Sequence, residues 1–133
     1  MDRRSSRILA MQALCQLDVL GEEFLAQLDE FLTDESPPAD VRKYAGELVR
    51  EAWTRRETIE SKLAAVAEHW VTGRMAMVDR NILRAAVCEM MTRPQLSPAV
   101  VINEAVEIAK SFGTADSPAF INGILDAVRK SMG

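Results

Sequence analysis

Three arginines open the chain, Arg3, Arg4 and Arg7, and near its end Lys110, Phe112, Asp116 and Phe120 fall within two helical segments and the short turn between them. Cations neutralise phosphates, rings stack on bases and polar groups read base edges, so these residue types together suit unpaired RNA. Arg4 and Arg7 lie about one helical turn apart and can share a face. Charge alone favours another reading of the arginines, a frayed and solvated terminus. Core packing is the alternative for both rings, and the apolar spacing favours it for Phe112.

Chemistry of other kinds finds little to work with. Neither a GxxxxGKS nor a GxGxxG phosphate loop is present, and the six glycines are scattered. His69 is the one imidazole, with no serine or cysteine beside it to activate. The acidic pairs Glu22-Glu23 and Asp34-Glu35 read as solvated surface rather than acid and base. Cys15 and Cys88 sit inside apolar helical patterns and are expected as small buried hydrophobes, neither a disulfide nor, with one histidine, a zinc site. No catalytic residue, metal or cofactor is expected.

A length of 133 residues, with 48% hydrophobic and 27% charged, suits one soluble domain with its own core. The net charge of −4 and pI near 5.1 argue against a protein coated with nucleic acid over its whole surface. A local basic patch on an acidic body remains compatible. No apolar run reaches the roughly 20 residues of a membrane span. No signal-peptide core follows the basic start, which leads to the expectation of a cytoplasmic protein.

The elements that must position these residues are helical throughout. Ile8, Met11, Cys15 and Val19 mark a first helix over about Ser6 to Leu20, ended by Gly21. Phe24, Leu25, Leu28, Phe31 and Leu32 mark a second, closed by the Pro37-Pro38 loop. The stretch from Asp40 to Trp70 is too long for one ordinary helix and is split near Thr54 to Thr58. Ile82, Leu83, Ala86 and Val87 define a central helix over about Val78 to Met91. Ser97-Pro98 and Asp116-Ser117-Pro118 are start signals for the last two helices. The expectation is an all-α, compact single-domain bundle of about seven helices spanning residues 1–133.

Polar residues recur inside these apolar patterns. Ile102-Asn103-Glu104-Ala105, Ala109-Lys110-Ser111-Phe112-Gly113 and Phe120-Ile121-Asn122-Gly123-Ile124-Leu125-Asp126 stand at the end of the chain. Val78-Asp79-Arg80 and Ile82-Leu83-Arg84 precede them, and Arg3-Arg4-Ser5-Ser6-Arg7 with Ala10-Met11-Gln12-Ala13-Leu14 stands at the front. In this order and spacing they resemble the NusB family of transcription antitermination factors. The resemblance implies an all-helical, NusB-like protein without enzymatic activity. It further implies binding of boxA single-stranded RNA in nascent ribosomal RNA transcripts, jointly with NusE, a small-subunit ribosomal protein, with other Nus factors and RNA polymerase as indirect partners.

Carried onto this chain, the RNA set is Arg3, Arg4, Arg7, Gln12, Lys110, Phe112, Asp116 and Phe120. Asp116 can cap a helix, a role worth about 1 kcal/mol, or accept a bond from a base amino group at the RNA edge. Trp70, Arg74, Asp79 and Arg80 form the expected NusE-binding region, where an aromatic and charges follow the break at Gly73. Asn103, Glu104 and Asn122 are expected to tie helices together, and Arg80, Arg84 and Glu89 to form ion pairs on the central helix. Family members commonly carry a tyrosine where this chain has Cys15, and a polar residue near Pro118-Ala119. The rival reading is a non-catalytic helical protein-interaction module or homodimer without RNA binding.

Overall fold

A computed structural model describes residues 3–67 and 75–133. Among these residues seven α-helices and one 3₁₀ turn make up the regular structure: α1 Arg3–Leu20, the 3₁₀ turn Glu22–Gln27, α2 Leu28–Thr33, α3 Ala39–Thr54, α4 Arg56–Val66, α5 Met77–Thr92, α6 Pro98–Phe112 and α7 Ser117–Ser131. The long central stretch breaks at Arg55, inside the window that its length required. The expected second helix is instead a 3₁₀ turn followed by a short α-helix. Gly21 ends α1 with φ of 79°, a left-handed backbone that costs glycine little, and its N–H closes on Leu17 O at 2.8 Å.

The core is one cluster drawn from every α-helix and the 3₁₀ turn. Helix α5 runs through its middle and touches α1, α3, α4, α6 and α7. Its Leu83, Val87 and Cys88 are completely buried. A fully buried leucine contributes about 1.5–3 kcal/mol, so α5 is a rigid platform for the polar groups it carries inward. No described helix is long and apolar enough to cross a membrane.

The last two helices form a hairpin whose turn depends on Gly113. A Cβ there would lie 2.5 Å from Ser117 Oγ and 3.0 Å from Ala109 O, so only glycine lets the chain pass. Ser117, 1% exposed, accepts a hydrogen bond from Thr114 N at 2.9 Å. That bond closes the turn, and Asp116 makes no side-chain cap bond. Ser97 makes none either. The capping role expected of Asp116 is therefore corrected: proline in the first turn already removes one orphan N–H, and the carboxylate faces solvent.

Candidate nucleic-acid interface

Helix α1 lies along α3 and α5, and its first turns also meet α6. That placement separates the three leading arginines into three roles. Arg7 points inward and is 7% exposed. Its Nε and Nη2 donate to the Glu89 carboxylate of α5 at 2.8 and 2.7 Å, and its Nη1 lies 3.4 Å from Glu104 Oε1. Glu89 is 1% exposed, so this is a buried ion pair. The expectation that Arg7 contacts RNA phosphate is corrected: its donors face a carboxylate that could not be buried alone.

Tyr44 on α3 completes the cluster by donating its hydroxyl to Glu89 Oε2. Its ring is flanked by the guanidinium groups of Arg3 at 3.9 Å and Arg93 at 4.8 Å from the centroid. Arg93 is in turn held by Glu51 at 2.6 Å. Burial, reinforced by the bond to Glu89, pushes the Tyr44 hydroxyl up to about 12. Tyr44 is the chain's single tyrosine, so its ultraviolet titration is readable alone. In the unfolded chain it should ionise near pH 10. Because the folded value is raised, its contribution to stability is intact below pH 10 and is lost as pH rises from about 10 to about 12. A titration midpoint at 10 in the folded protein would contradict the buried bond.

Arg4 takes the outward role. Its Nη2 and Nε donate to Glu104 on α6 at 2.7 and 3.2 Å, and its side chain is 49% exposed. Glu104 thus does join two helices, as its position among apolar residues suggested. Asn103 and Asn122 do not, because both are exposed. Further along α6, Lys110 binds Glu107 at 2.6 Å. Glu104 and Phe112 are eight residues apart, about 12 Å along the axis. Arg4 therefore sits over the same helix that delivers Lys110 and Phe112 to the turn.

Phe112 and Phe120 flank that turn, and each is 41% exposed. The core role favoured for Phe112 is corrected. It continues the stripe of Val101, Ala105 and Ile108, but α6 has run past the edge of the core by then. Asp116 lies between the two rings in sequence and is exposed. Gln12 is exposed on α1. Arg3, Arg4, Lys110, Phe112, Asp116 and Phe120 are thus cations, rings and a carboxylate carried by α1, by α6, by α7 and by the turn between the last two, with Arg3 lying over Tyr44 of α3.

Residues of the expected partner region occupy the start of α5. Trp70 and Arg74 lie outside the described residues. Asp79 is 8% exposed, and among the described residues its Oδ1 has no hydrogen-bond partner. Arg80 is half-buried and lines a groove of about 770 Å³ with Leu14, Leu17, Trp53, Ile59 and Arg84. Arg84 spans the helices around it, bonded to Asp18 of α1 at 3.0 Å and Glu60 of α4 at 2.7 Å. Two of the residues expected to form ion pairs on the central helix do so, and their partners lie on other helices: Glu89 pairs with Arg7 of α1, and Arg84 with Asp18 of α1 and Glu60 of α4. Beside the groove Val19, Leu20 and Met77 are exposed at 65, 53 and 44%. The Met77 carbonyl lies 3.9 Å from Cys15 Sγ, one turn before Val19 on α1.

Sequence reasoning missed Tyr44 and Arg93, and it did not connect Glu89 with Arg7 or Glu104 with Arg4. A signal existed: a glutamate at Glu89 within an apolar helix needs a buried cation, and a tyrosine packed at the core edge needs a hydroxyl partner.

Comparison with known proteins agrees with this architecture. The NusB family model matches residues 4–130. The transcription antitermination protein NusB of Geobacter sulfurreducens is 45% identical, over 98% of this chain and 95% of that protein. The corresponding protein of Symbiobacterium thermophilum is 41% identical, over 99% of this chain and 92% of that protein. The solved structure of T. maritima NusB superposes with a TM-score of 0.86 at 33% identity, covering 98% of this chain and 92% of that one. The antitermination factors NusB and NusE in complex with dsRNA give a TM-score of 0.85 at 28% identity, covering 97% of this chain and 96% of the matched chain. With a family match across nearly its full length and the same helical architecture, this chain belongs to the NusB family.

Proposed function

We propose that this protein is a cytoplasmic, non-catalytic antitermination factor that binds boxA single-stranded RNA of nascent ribosomal transcripts together with NusE. In this reading it joins other Nus factors on RNA polymerase. The observation that carries it is the exposed set on and beside α6: Arg4 paired to Glu104, Lys110 paired to Glu107, and the half-exposed rings Phe112 and Phe120 at the turn into α7. The solved complex of NusB and NusE with dsRNA supports NusE and RNA as the classes of partner. Asp79 and the neighbouring apolar residues Val19, Leu20 and Met77 favour the start of α5 as the NusE-facing region. A buried carboxylate oxygen with no donor among the described residues is costly, and a partner N–H could satisfy it. Trp70 and Arg74 extend that region in sequence.

Titration of labelled boxA RNA against a scrambled control, with and without NusE, tests the reading. Preference for boxA, strengthened by NusE, is the expected result; equal binding of both RNAs would sink it. Arg3, Arg4 and Lys110 provide three phosphate contacts, so log affinity against log salt should fall with a slope of about −2, from roughly −0.7 per phosphate. Arg4→Ala should weaken binding and reduce that slope by about 0.7 while the melting temperature barely moves. An unchanged slope would remove Arg4 from the interface.

A further inference from the structure

The outward cations Arg4 of α1 and Lys110 of α6 are both already paired with carboxylates of α6. Arg4 is gripped by Glu104 through two nitrogens, and Lys110 by Glu107 at 2.6 Å. The Lys110 ammonium, with a smaller contribution from Arg4, holds the Glu107 carboxyl below its ordinary range. Both pairs are partly exposed, so an incoming anion can exchange with their carboxylates, even though Glu104 also links α6 to α1. A phosphate reaching either cation must part it from its carboxylate or settle beside a like charge, well within the ~8 Å screening length of physiological salt.

That obstacle is the same for every polyanion, but what offsets it is not. We propose that Glu104 and Glu107 are selectivity-determining residues of the RNA surface, withholding Arg4 and Lys110 from polyanions that offer no unpaired bases. The inference rests on the RNA-binding reading above. Unpaired RNA stacks its bases on Phe112 and Phe120 and offers base amino donors to the displaced carboxylates. A sulfated polysaccharide can do neither. Selectivity is a difference of affinities, so a penalty shared by all anions and relieved only by bases raises the preference for RNA.

The test compares boxA RNA with heparin, a polyanion without bases, on wild type, Glu107→Gln and the Glu104→Gln/Glu107→Gln double variant at fixed salt. Glutamine preserves the acceptor that Glu104 offers to Arg4 and Arg7. Glu107 has a 41% exposed side chain, so its single variant leaves the fold intact. Heparin should bind the double variant roughly fivefold or more tightly, the scale set by releasing exposed ion pairs. BoxA should gain less, so the RNA-to-heparin preference falls. Glu107→Gln alone should move part of the way.

An unchanged preference, or weaker binding of both probes, overturns the inference and leaves the glutamates as mere supports for the cations. If the wild type already prefers boxA over scrambled RNA, that failure leaves the RNA reading standing. A wild type without that preference overturns the RNA reading and the inference with it.

Discussion

Arg7→Ala is expected to destabilise the protein by about 3–5 kcal/mol, the scale for removing one partner of a buried ion pair. For a domain of this size that corresponds to a fall of about 10–20 °C in melting temperature. The loss arises because Glu89, 1% exposed, would keep its charge among apolar groups with the Tyr44 hydroxyl as its remaining side-chain donor among the described residues. Three donated bonds from Arg7 would disappear. Glu89→Ala should cost a similar amount by stranding Arg7. The pair replaced together, Arg7→Met with Glu89→Leu, should recover most of the loss, since apolar groups of similar volume often match a buried ion pair. Thermal melts by circular dichroism check all three variants. If Arg7→Ala melted within 3 °C of wild type and lost RNA affinity instead, Arg7 would belong to the interface and its burial would be wrong.

This division of labour among three neighbouring arginines marks where reading the sequence succeeds and where it stops. Helix positions followed from period and punctuation. Gly21 and Gly113 ended α1 and α6, and Pro98 sits at the start of α6 as expected. Local rules act within a few residues, so these features are written in short windows. Which arginine turns inward depends on a residue 82 positions away, because Arg7 meets Glu89 only when α1 packs on α5. Phe112 illustrates the converse failure. Its spacing continues a core stripe correctly, but the stripe cannot say where the core ends. Asp116 looked like a cap because local pattern ranks carboxylates highly there, yet Ser117 and Thr114 close the turn between themselves. The resemblance to a family nominated the candidate residues; only tertiary packing shows that Arg7 turns inward while Arg4, Phe112 and Phe120 stay exposed.

Phe120→Ala should reduce boxA affinity by about 5- to 150-fold, the equivalent of the 1–3 kcal/mol that one stacked base contributes. The ring is 41% exposed, and the adjacent Ile121 and the following Ile124 and Leu125 hold α7 to the core. Stability should therefore change by no more than about 1 kcal/mol, in contrast to the Arg7 variant. Phe120→Leu distinguishes stacking from bulk: it keeps an apolar side chain but lacks a π-face, so it should bind nearly as poorly as alanine. Phe120→Trp should retain affinity. Phe112→Ala should act in the same direction, and the double variant should lose more than either. Salt supplies an internal control. Stacking releases no condensed counterions, so the slope of log affinity against log salt should remain that of wild type in Phe120→Ala, whereas Arg4→Ala flattens it. Equal affinity of wild type and Phe120→Ala for boxA would remove the ring from the interface and leave the surface a patch of charge, unable to tell one RNA from another.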